Sequence, residues 1–511
     1  MMNELNLDLA SLDLECKKTW SLIGSGNTKG CFQLESRLGQ TMAKKLKPEN
    51  IEQLSALISI LRPGCLEAYR NGKSVSNHYI DKKNGLESVD YYHEALQDIL
   101  STTYGEMIYQ EQAMQIAQKI AGFNLEDADM LRKAIGKKKP EEMAKIRKKF
   151  LAGCKKLSIV DDAQAKEIFN WIEKSQRYSF NKSHAISYAM NAYLSAYVKA
   201  HHTPQFFASY LQFAKDKIDP LNEIYELVNN CREMDIEVCK PDFRLQNKEF
   251  VLRKGKIYFG LTNIKGVGES VFKKLKEIPI DITQANYLQI LFVCLDKINK
   301  TAVKNMISVG CFDYFSVDRK QMLFDCDIIS NLTKKEKEFI ITNLFQYKNV
   351  KDCVEAALLK ANIRRKKTIE SLIQSVKSPA YSLEDNIGWI ADTENQLLGI
   401  SLSCSKIDEC DLSHVNTDCK SLRGAKIFPK NMMVGVEIKD VSVIKTKRGA
   451  NPGQEMAFVK ISDSTGSLDA VIFPEEYLNF RNLLSVDNTV IMKIEPSKQK
   501  DSMIIKKVWQ V

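Results

Sequence analysis

Hydrophobic residues recur every three or four positions through roughly the first 210 residues, which predicts a mostly helical region. Breaks fall at Pro63-Gly64, Asn84-Gly85, Gly122 and Pro140. Tyr109–Ala121 and Ile168–Lys174 carry the helical spacing plainly, and Leu221–Met234 makes a further helix. Ser183–Ala200 forms one long helix, ended by His201-His202-Thr203-Pro204. At ~100° per residue it sets His184, Tyr188, Asn191 and Ser195 on one face. Ile186, Met190, Tyr193 and Tyr197 fall opposite, on the expected core face. Asn181 or Ser183 is the expected N-cap, leaving backbone N–H groups turned toward an anion.

The character changes at 236–264, where Phe250-Val251-Leu252 and Ile257-Tyr258-Phe259 flank a Lys254-Gly255 hairpin signal. Two short helical pairs follow to about residue 327. Residues 328–395 are charged, lysine-rich and weakly periodic, the pattern of a helical or partly mobile connector. From Gly435 the period becomes two, and five short strands separated by Gly, Asp, Ser and Pro predict a small β-barrel. The expected domains are 1–235, 236–327, 328–430 and 431–511.

At 511 residues the chain is too long for one core, and 44% hydrophobic with 27% charged residues describes an ordinary globular protein. The 74 Lys+Arg against 64 Asp+Glu leave a net charge of +10, which admits a nucleic-acid partner without requiring one. The 13 cysteines stand singly, with no Cys-x-x-Cys pair and no zinc-ligand spacing, so they read as small buried hydrophobes in a reducing cytoplasm. The apolar runs Leu54–Leu61 and Ile290–Leu295 fall far short of the ~20 residues of a membrane span.

Several ordered strings are specific. CFQLES (Cys31–Ser36), LRPG (Leu61–Gly64), TYGEMIYQEQAMQIA (Thr103–Ala117), DADMLRKAIGKKKPEEM (Asp127–Met143) and FNKSHAISYA (Phe180–Ala189) resemble the fingers domain of the C-family DNA polymerases, the family of the bacterial DNA polymerase III alpha subunit. IKGVG (Ile264–Gly268) resembles the family's helix-hairpin-helix element, and MAFVKISDSTGSLDAVIFPEEY its OB-fold domain. The likeness covers roughly residues 10–325 and 395–511. It implies a mainly α fingers domain and a tandem helix-hairpin-helix module, followed by a small all-β OB-fold barrel. It also implies part of a replicative DNA-directed DNA polymerase, a nucleotidyltransferase binding incoming dNTP and primer-template DNA. A sliding clamp is a further implied partner, and ITNLF (Ile341–Phe345) is the nearest string to a clamp contact. It lacks the usual leading glutamine, and a buried apolar helix turn is the favoured reading of it.

The family's palm strings, with the aspartates that hold two metal ions, have no counterpart in this sequence. Asp8 and Asp13 lie in a leader, LDLASLDLECKKTW, that matches the region after the palm. The chain is therefore expected to contribute no catalytic and no metal-ligating residue, with Mg2+ held elsewhere in the assembled polymerase. Its two initial methionines and its end at the barrel fit a separately encoded half, of viral or cellular origin. An N-terminal chain would then supply palm and thumb. A non-enzymatic DNA-binding accessory protein derived from a polymerase is the alternative.

A triphosphate needs concentrated positive charge. Arg132, Lys133, Lys137, Lys138 and Lys139 supply it, with Gly136 letting the backbone turn or approach closely before the lysine run. Arg132 can give phosphate oxygens a bidentate fork, while lysines act as point charges. The resemblance turns Arg132 and Lys133 toward the nucleotide's phosphates; Lys145, Arg147, Lys148 and Lys149 read instead as a solvated basic face. It also sets the Asn181-Lys182-Ser183-His184 helix start along the nucleotide, with Lys182 near phosphate, His184 at the sugar and Tyr188 on the same face. Arg62 and Tyr104 are further candidates. For DNA, a tight Gly266-Val267-Gly268 turn lets backbone N–H groups meet a phosphate, with Lys265, Lys273, Lys274 and Lys276 adding attraction that ignores sequence. Lys445, Lys447 and Arg448 in the first barrel loop are candidates for single strands, while Phe458 and Phe473 are assigned to the barrel core.

Overall fold

A computed structural model describes residues 8, 12–62, 65–66, 69–70, 72–137, 140–176, 180–423, 425, 427–446, 452–497 and 502–511, with backbone alone at 70, 135–137, 140, 176 and 345. It divides into two compact units, residues 1–206 and 207–511.

Short polar caps set the helices of the first unit. Asn50 accepts the Gln53 N–H at 2.9 Å and starts the Ile51–Ile60 helix, which is buried from Gln53 onward. Against it packs the Lys182–His201 helix, capped by Asn181, whose side chain accepts the His184 N–H at 2.9 Å. The buried face of that helix is a row of alanines, Ala185, Ala189, Ala192 and Ala196, together with Tyr193. Ile186 and Met190 are only half-buried, contrary to the face expected from side-chain size. Small side chains let the two helix backbones approach, and a count of large apolar residues passes over them.

The second core of this unit gathers around the Gln110–Ala121 helix, with Ile116, Ile120, Leu131, Phe150 and Phe169 all buried. At Gly153 a Cβ would stand 2.0 Å from the Ala121 carbonyl oxygen, so glycine permits the contact between the Pro140–Leu157 helix and the end of Gln110–Ala121. The Leu125–Lys137 helix continues through Gly136, and the backbone does not turn there as expected.

In the second unit, Lys254 and Gly255 both have positive φ (51° and 79°), as a two-residue hairpin of the primed type demands. They join Val251–Arg253 to Lys256–Tyr258. Helices Glu269–Lys276, Tyr287–Lys297, Lys300–Ser308 and Arg319–Ser330 follow. The expected connector is built of packed helices, Lys334–Thr342, Val350–Leu358, Ile363–Lys377 and Ile387–Leu398. Buried Arg319 ties it to the preceding helical pairs, donating to Glu394 at 2.8 Å, Asp313 at 2.8 and 3.1 Å and the Ser403 hydroxyl at 3.0 Å.

Five strands close the barrel. Met432–Lys445 pairs with Glu455–Ser462 and with Thr489–Pro496, and Met503–Gln510 runs antiparallel to the latter. Closure comes where Met503 and Ile504 pair in parallel with Ala470 and Val471 of Ser467–Ile472. This is an OB-type barrel. Its interior is Val434, Val436, Val459, Ile461, Met492, Ile505 and neighbours. Phe458 and Phe473 are not among them: both are about two-fifths exposed (42% and 41%). Inward positions of Glu455–Ser462 are Ala457, Val459 and Ile461, so strict alternation turns Phe458 outward. No described helix is long and apolar enough to cross a membrane.

Candidate nucleotide and nucleic-acid interface

The start of the Lys182–His201 helix is held by a carboxylate. Glu111, in the first turn of Gln110–Ala121, accepts the Lys182 backbone N–H at 2.9 Å and the Asn181 side-chain amide at 2.7 Å. The Lys182 amide expected to face an incoming anion is thus satisfied internally. The strand-like bridge Tyr109–Phe180 fixes the same junction, with Gln110 N–H donating to the Phe180 carbonyl at 3.0 Å. Lys182 Nζ lies 5.7 Å from the centre of the Tyr109 ring and 4.0 Å from Glu52 Oε1.

Along the outer face runs a ladder of rings. Phe180 and His184 stand 5.3 Å apart, His184 and Tyr188 4.1 Å, and Tyr188 and Phe32 5.1 Å. The Arg62 guanidinium closes one end, 4.9 Å over the Phe180 ring. At the other end the Phe32 N–H donates to Ser195 Oγ at 3.0 Å. Arg62, Asn181, Lys182, His184 and Tyr188 are therefore brought together, with His184 and Arg62 exposed. Tyr104 instead packs inward, its ring 5.5 Å from that of buried Tyr79 and its hydroxyl accepting from Gln53 Nε2 at 3.1 Å.

Arg132 and Lys133 lie on another helix, and one carboxylate engages both. Asp129 accepts from Arg132 Nε and Nη2 at 2.9 and 2.8 Å and pairs with Lys133 Nζ at 2.7 Å. Lys133, then Arg132, holds the Asp129 carboxyl below its ordinary range. Among the described residues no hydrogen bond, ion pair or ring contact joins these cations to the Arg62–Phe32 ladder. The Gln110–Ala121 helix is their common support. Its Glu111 holds the ladder's helix, and its Ile116 and Ile120 share a core with Leu131, next to Arg132. Lys137 is described as backbone only, and Lys138 and Lys139 lie outside the described residues.

The DNA candidates stand on a clamped turn. Gly266 has φ +86°, and a Cβ there would meet Asn305 Nδ2 at 2.7 Å. That same amide donates to the Lys265 carbonyl at 2.7 Å, while the Lys265 N–H donates to the Leu397 carbonyl at 3.0 Å. Gly268 caps Glu269–Lys276 in open space. Lys265, Lys273 and Lys274 are exposed and form no ion pair among the described residues. Lys300 and Lys304, in the paired helix, both engage Asp327 at 2.7 Å. On the barrel, Lys445 is exposed at the end of its strand, opposite Glu455, and Lys447 and Arg448 fall outside the described residues. In ITNLF, Leu344 is buried and Ile341 exposed, with the Phe345 side chain undescribed.

Glu111, Asp129, Phe32 and Asn305 did not emerge as candidates from sequence, and Ser195 emerged only as a member of the His184 face. Asp129 had a signal, since its i+3 and i+4 neighbours on a helix are Arg132 and Lys133. The Asn305 and Ser195 contacts span 40 and 163 residues, a separation no local pattern reports. Among the described residues no group of three or more His, Cys, Asp or Glu could hold a metal ion.

Paired helical hairpins and an OB-type barrel on one chain define a protein assembled from modules that recur in nucleic-acid recognition. Comparison narrows this class to a family. The bacterial DNA polymerase III alpha subunit finger domain family matches residues 1–158, and the helix-hairpin-helix motif family matches 235–322. The DNA polymerase III subunit alpha of Pseudomonas fluorescens is 32% identical over 511 aligned residues, covering 97% of this chain and 42% of that protein. That of Aquifex aeolicus is 30% identical, covering 96% and 38%, and that of Haemophilus influenzae 31%, covering 95% and 40%. The chain spans about two-fifths of the length of these relatives. It belongs to the bacterial DNA polymerase III alpha subunit family and corresponds to the portion that carries fingers, helical hairpins and barrel.

Proposed function

We propose that this chain forms the substrate-gripping part of a DNA-directed DNA polymerase, binding incoming dNTP with the first unit and primer-template DNA with the second. The observation that carries this reading is the ordered ring ladder from Phe180 to Phe32, ended by Arg62 and rooted at the Asn181-capped helix start. Flat rings and a guanidinium suit a base and sugar, and His184, exposed in mid-ladder, is the group that rejects a 2′-hydroxyl. Arg132 and Lys133 take the triphosphate, with Lys137, Lys138 and Lys182 adding charge. Asp129 keeps the first two extended until phosphate oxygens replace it. The clamped turn at Lys265, Gly266 and Gly268 meets the duplex backbone with Lys273 and Lys274. Lys445, Lys447, Arg448 and outward-facing Phe458 meet a single strand.

Magnesium and its carboxylates belong to a palm outside residues 1–511, and a separate N-terminal chain is the proposed source. Primer extension tests this division: the isolated chain is expected to be inert, and addition of a palm-and-thumb chain to restore synthesis. Robust synthesis by the isolated chain refutes it. In the restored enzyme His184→Ala should relax the preference for deoxy- over ribonucleotides, and an unaltered ratio removes His184 from the sugar.

A further inference from the structure

The segment 331–377 holds eleven lysines and arginines against five acids, so +6 of the chain's net +10 is concentrated in 47 residues. Four of the eleven cations are engaged. Arg365 forks onto buried Glu336 at 3.2 and 3.0 Å and donates to the Asn331 carbonyl at 3.0 Å. Lys334 and Lys351 face acids one turn on, and Lys360 lies 5.0 Å over the Phe339 ring. Lys335, Lys348 and Lys377 are exposed without an ion pair among the described residues but stand apart, whereas three further cations are grouped. Arg364, Lys366 and Lys367 are exposed on the first two turns of the Ile363–Lys377 helix and form no ion pair with any described residue.

Their placement is unfavourable for the helix itself. Positive charge at a helix start opposes the macrodipole, and this first turn contains no acid. Nor is the helix free to rotate them elsewhere, because Ile369 is fully buried beneath it and the Arg365 fork fixes its orientation. The three charges lie within about one 5.4 Å turn on a rigid support, with Lys367 outermost and Arg364 and Lys366 to either side of it.

We infer that Arg364, Lys366 and Lys367 form a ridge that docks on the phosphate backbone of double-stranded DNA, a contact additional to that of the Lys265–Gly268 turn. The choice of ligand rests on the polymerase reading. The charge argument agrees with it, since a duplex presents one phosphate charge per ~1.7 Å and can meet all three cations at once.

The test uses the whole chain and a fluorescent mixed-sequence duplex, with the dissociation constant read by anisotropy across a salt series. Three lost phosphate contacts should make the slope of log K against log salt shallower by about 2.7 in R364A/K366A/K367A. The variant should melt no earlier than the parent, because alanine relieves the charge at the helix start. A parent that binds duplex with the same slope as the variant overturns the ridge and leaves an acidic protein surface as the occupant. A parent that binds no duplex at any salt overturns the DNA-gripping function as well, so the two failures are distinguishable.

Discussion

Asp325 is buried in the helical-hairpin module with no cation beside it. Its oxygens accept from the Tyr287 hydroxyl at 2.7 Å and the Gln321 amide at 2.9 Å. Burial pushes its pKa up from 3.8 to about 6, against the lowering effect of those two hydrogen bonds. A carboxyl that holds its proton more tightly when folded favours the fold only while protonated. Below the unfolded value both states carry the proton and nothing is lost. As pH rises from there through about 6 the unfolded chain ionises first and stability falls. Above both values the full shift of about two units costs about 3 kcal/mol at 1.36 kcal/mol per unit. Asp325→Asn removes the titration, and its amide can keep both partners because the Tyr287 hydroxyl can accept as well as donate. Amide hydrogen exchange in Tyr287–Lys297 and Arg319–Ser330, measured in the whole chain, reports the local opening energy. The variant should gain about 3 kcal/mol of protection near pH 7.5 but only about 1 kcal/mol near pH 4.5, where most of the penalty has vanished. Comparing the two proteins at each pH cancels every other titrating group and the intrinsic exchange rate. An equal gain at both values, or none, would refute the claim that Asp325 is held neutral by burial.

Other expectations follow from single contacts. Asp129→Asn frees Arg132 and Lys133 for phosphate, so in the restored polymerase KM for dNTP should fall up to about fivefold, the ~1 kcal/mol ceiling of an exposed pair. An unchanged or higher KM would detach this trio from the triphosphate. Arg319→Ala strands Glu394, which is fully buried, and denaturant unfolding should show a loss of about 3–5 kcal/mol. A loss under ~1 kcal/mol would mean the network is not the tie between hairpins and connector helices. Phe458→Ala should weaken single-stranded DNA binding by about 1–3 kcal/mol in an anisotropy titration while leaving the barrel's melting temperature nearly unchanged. Binding unaltered with a lowered melting temperature would return Phe458 to a packing role.

The sequence was most legible where a local rule operates. Capping chemistry offered Asn181 or Ser183 as the start of the Lys182–His201 helix, of which Asn181 is the cap, and the Lys254-Gly255 pair marked a hairpin because both positions need positive φ. Period-two alternation located the barrel strands, yet Phe458 was sent to the core because hydrophobicity was given more weight than the inward phase of Ala457, Val459 and Ile461. The same bias toward large side chains hid the alanine face at Ala185, Ala189, Ala192 and Ala196. Weak periodicity at 328–395 left open a partly mobile segment, whereas Asp385, by accepting the Arg319 and Lys320 amides at 2.9 and 3.0 Å, fastens it at a distance of 65 residues or more.

Charge shows why a residue count cannot locate a site. The cation runs at 132–149 and 364–367 look alike in sequence, but their surroundings differ. Arg132, Lys133 and Lys149 each have an acidic partner on their own or a neighbouring turn or helix, and Arg147 has Glu173. Lys145 and Lys148 have none among the described residues, and Arg365 of the second run is paired with Glu336. Lys265, Lys273, Lys274, Arg364, Lys366 and Lys367 have none among the described residues. A cation already paired at the surface gives up little when a triphosphate replaces its partner, so it suits a ligand that must arrive and leave in every cycle. Unpaired cations keep their full attraction for a polyanion and exchange it only for salt, which suits a backbone gripped through many cycles. The fingers and the hairpin-side helices therefore hold comparable positive charge under different terms, and salt should weaken DNA retention more steeply than dNTP affinity.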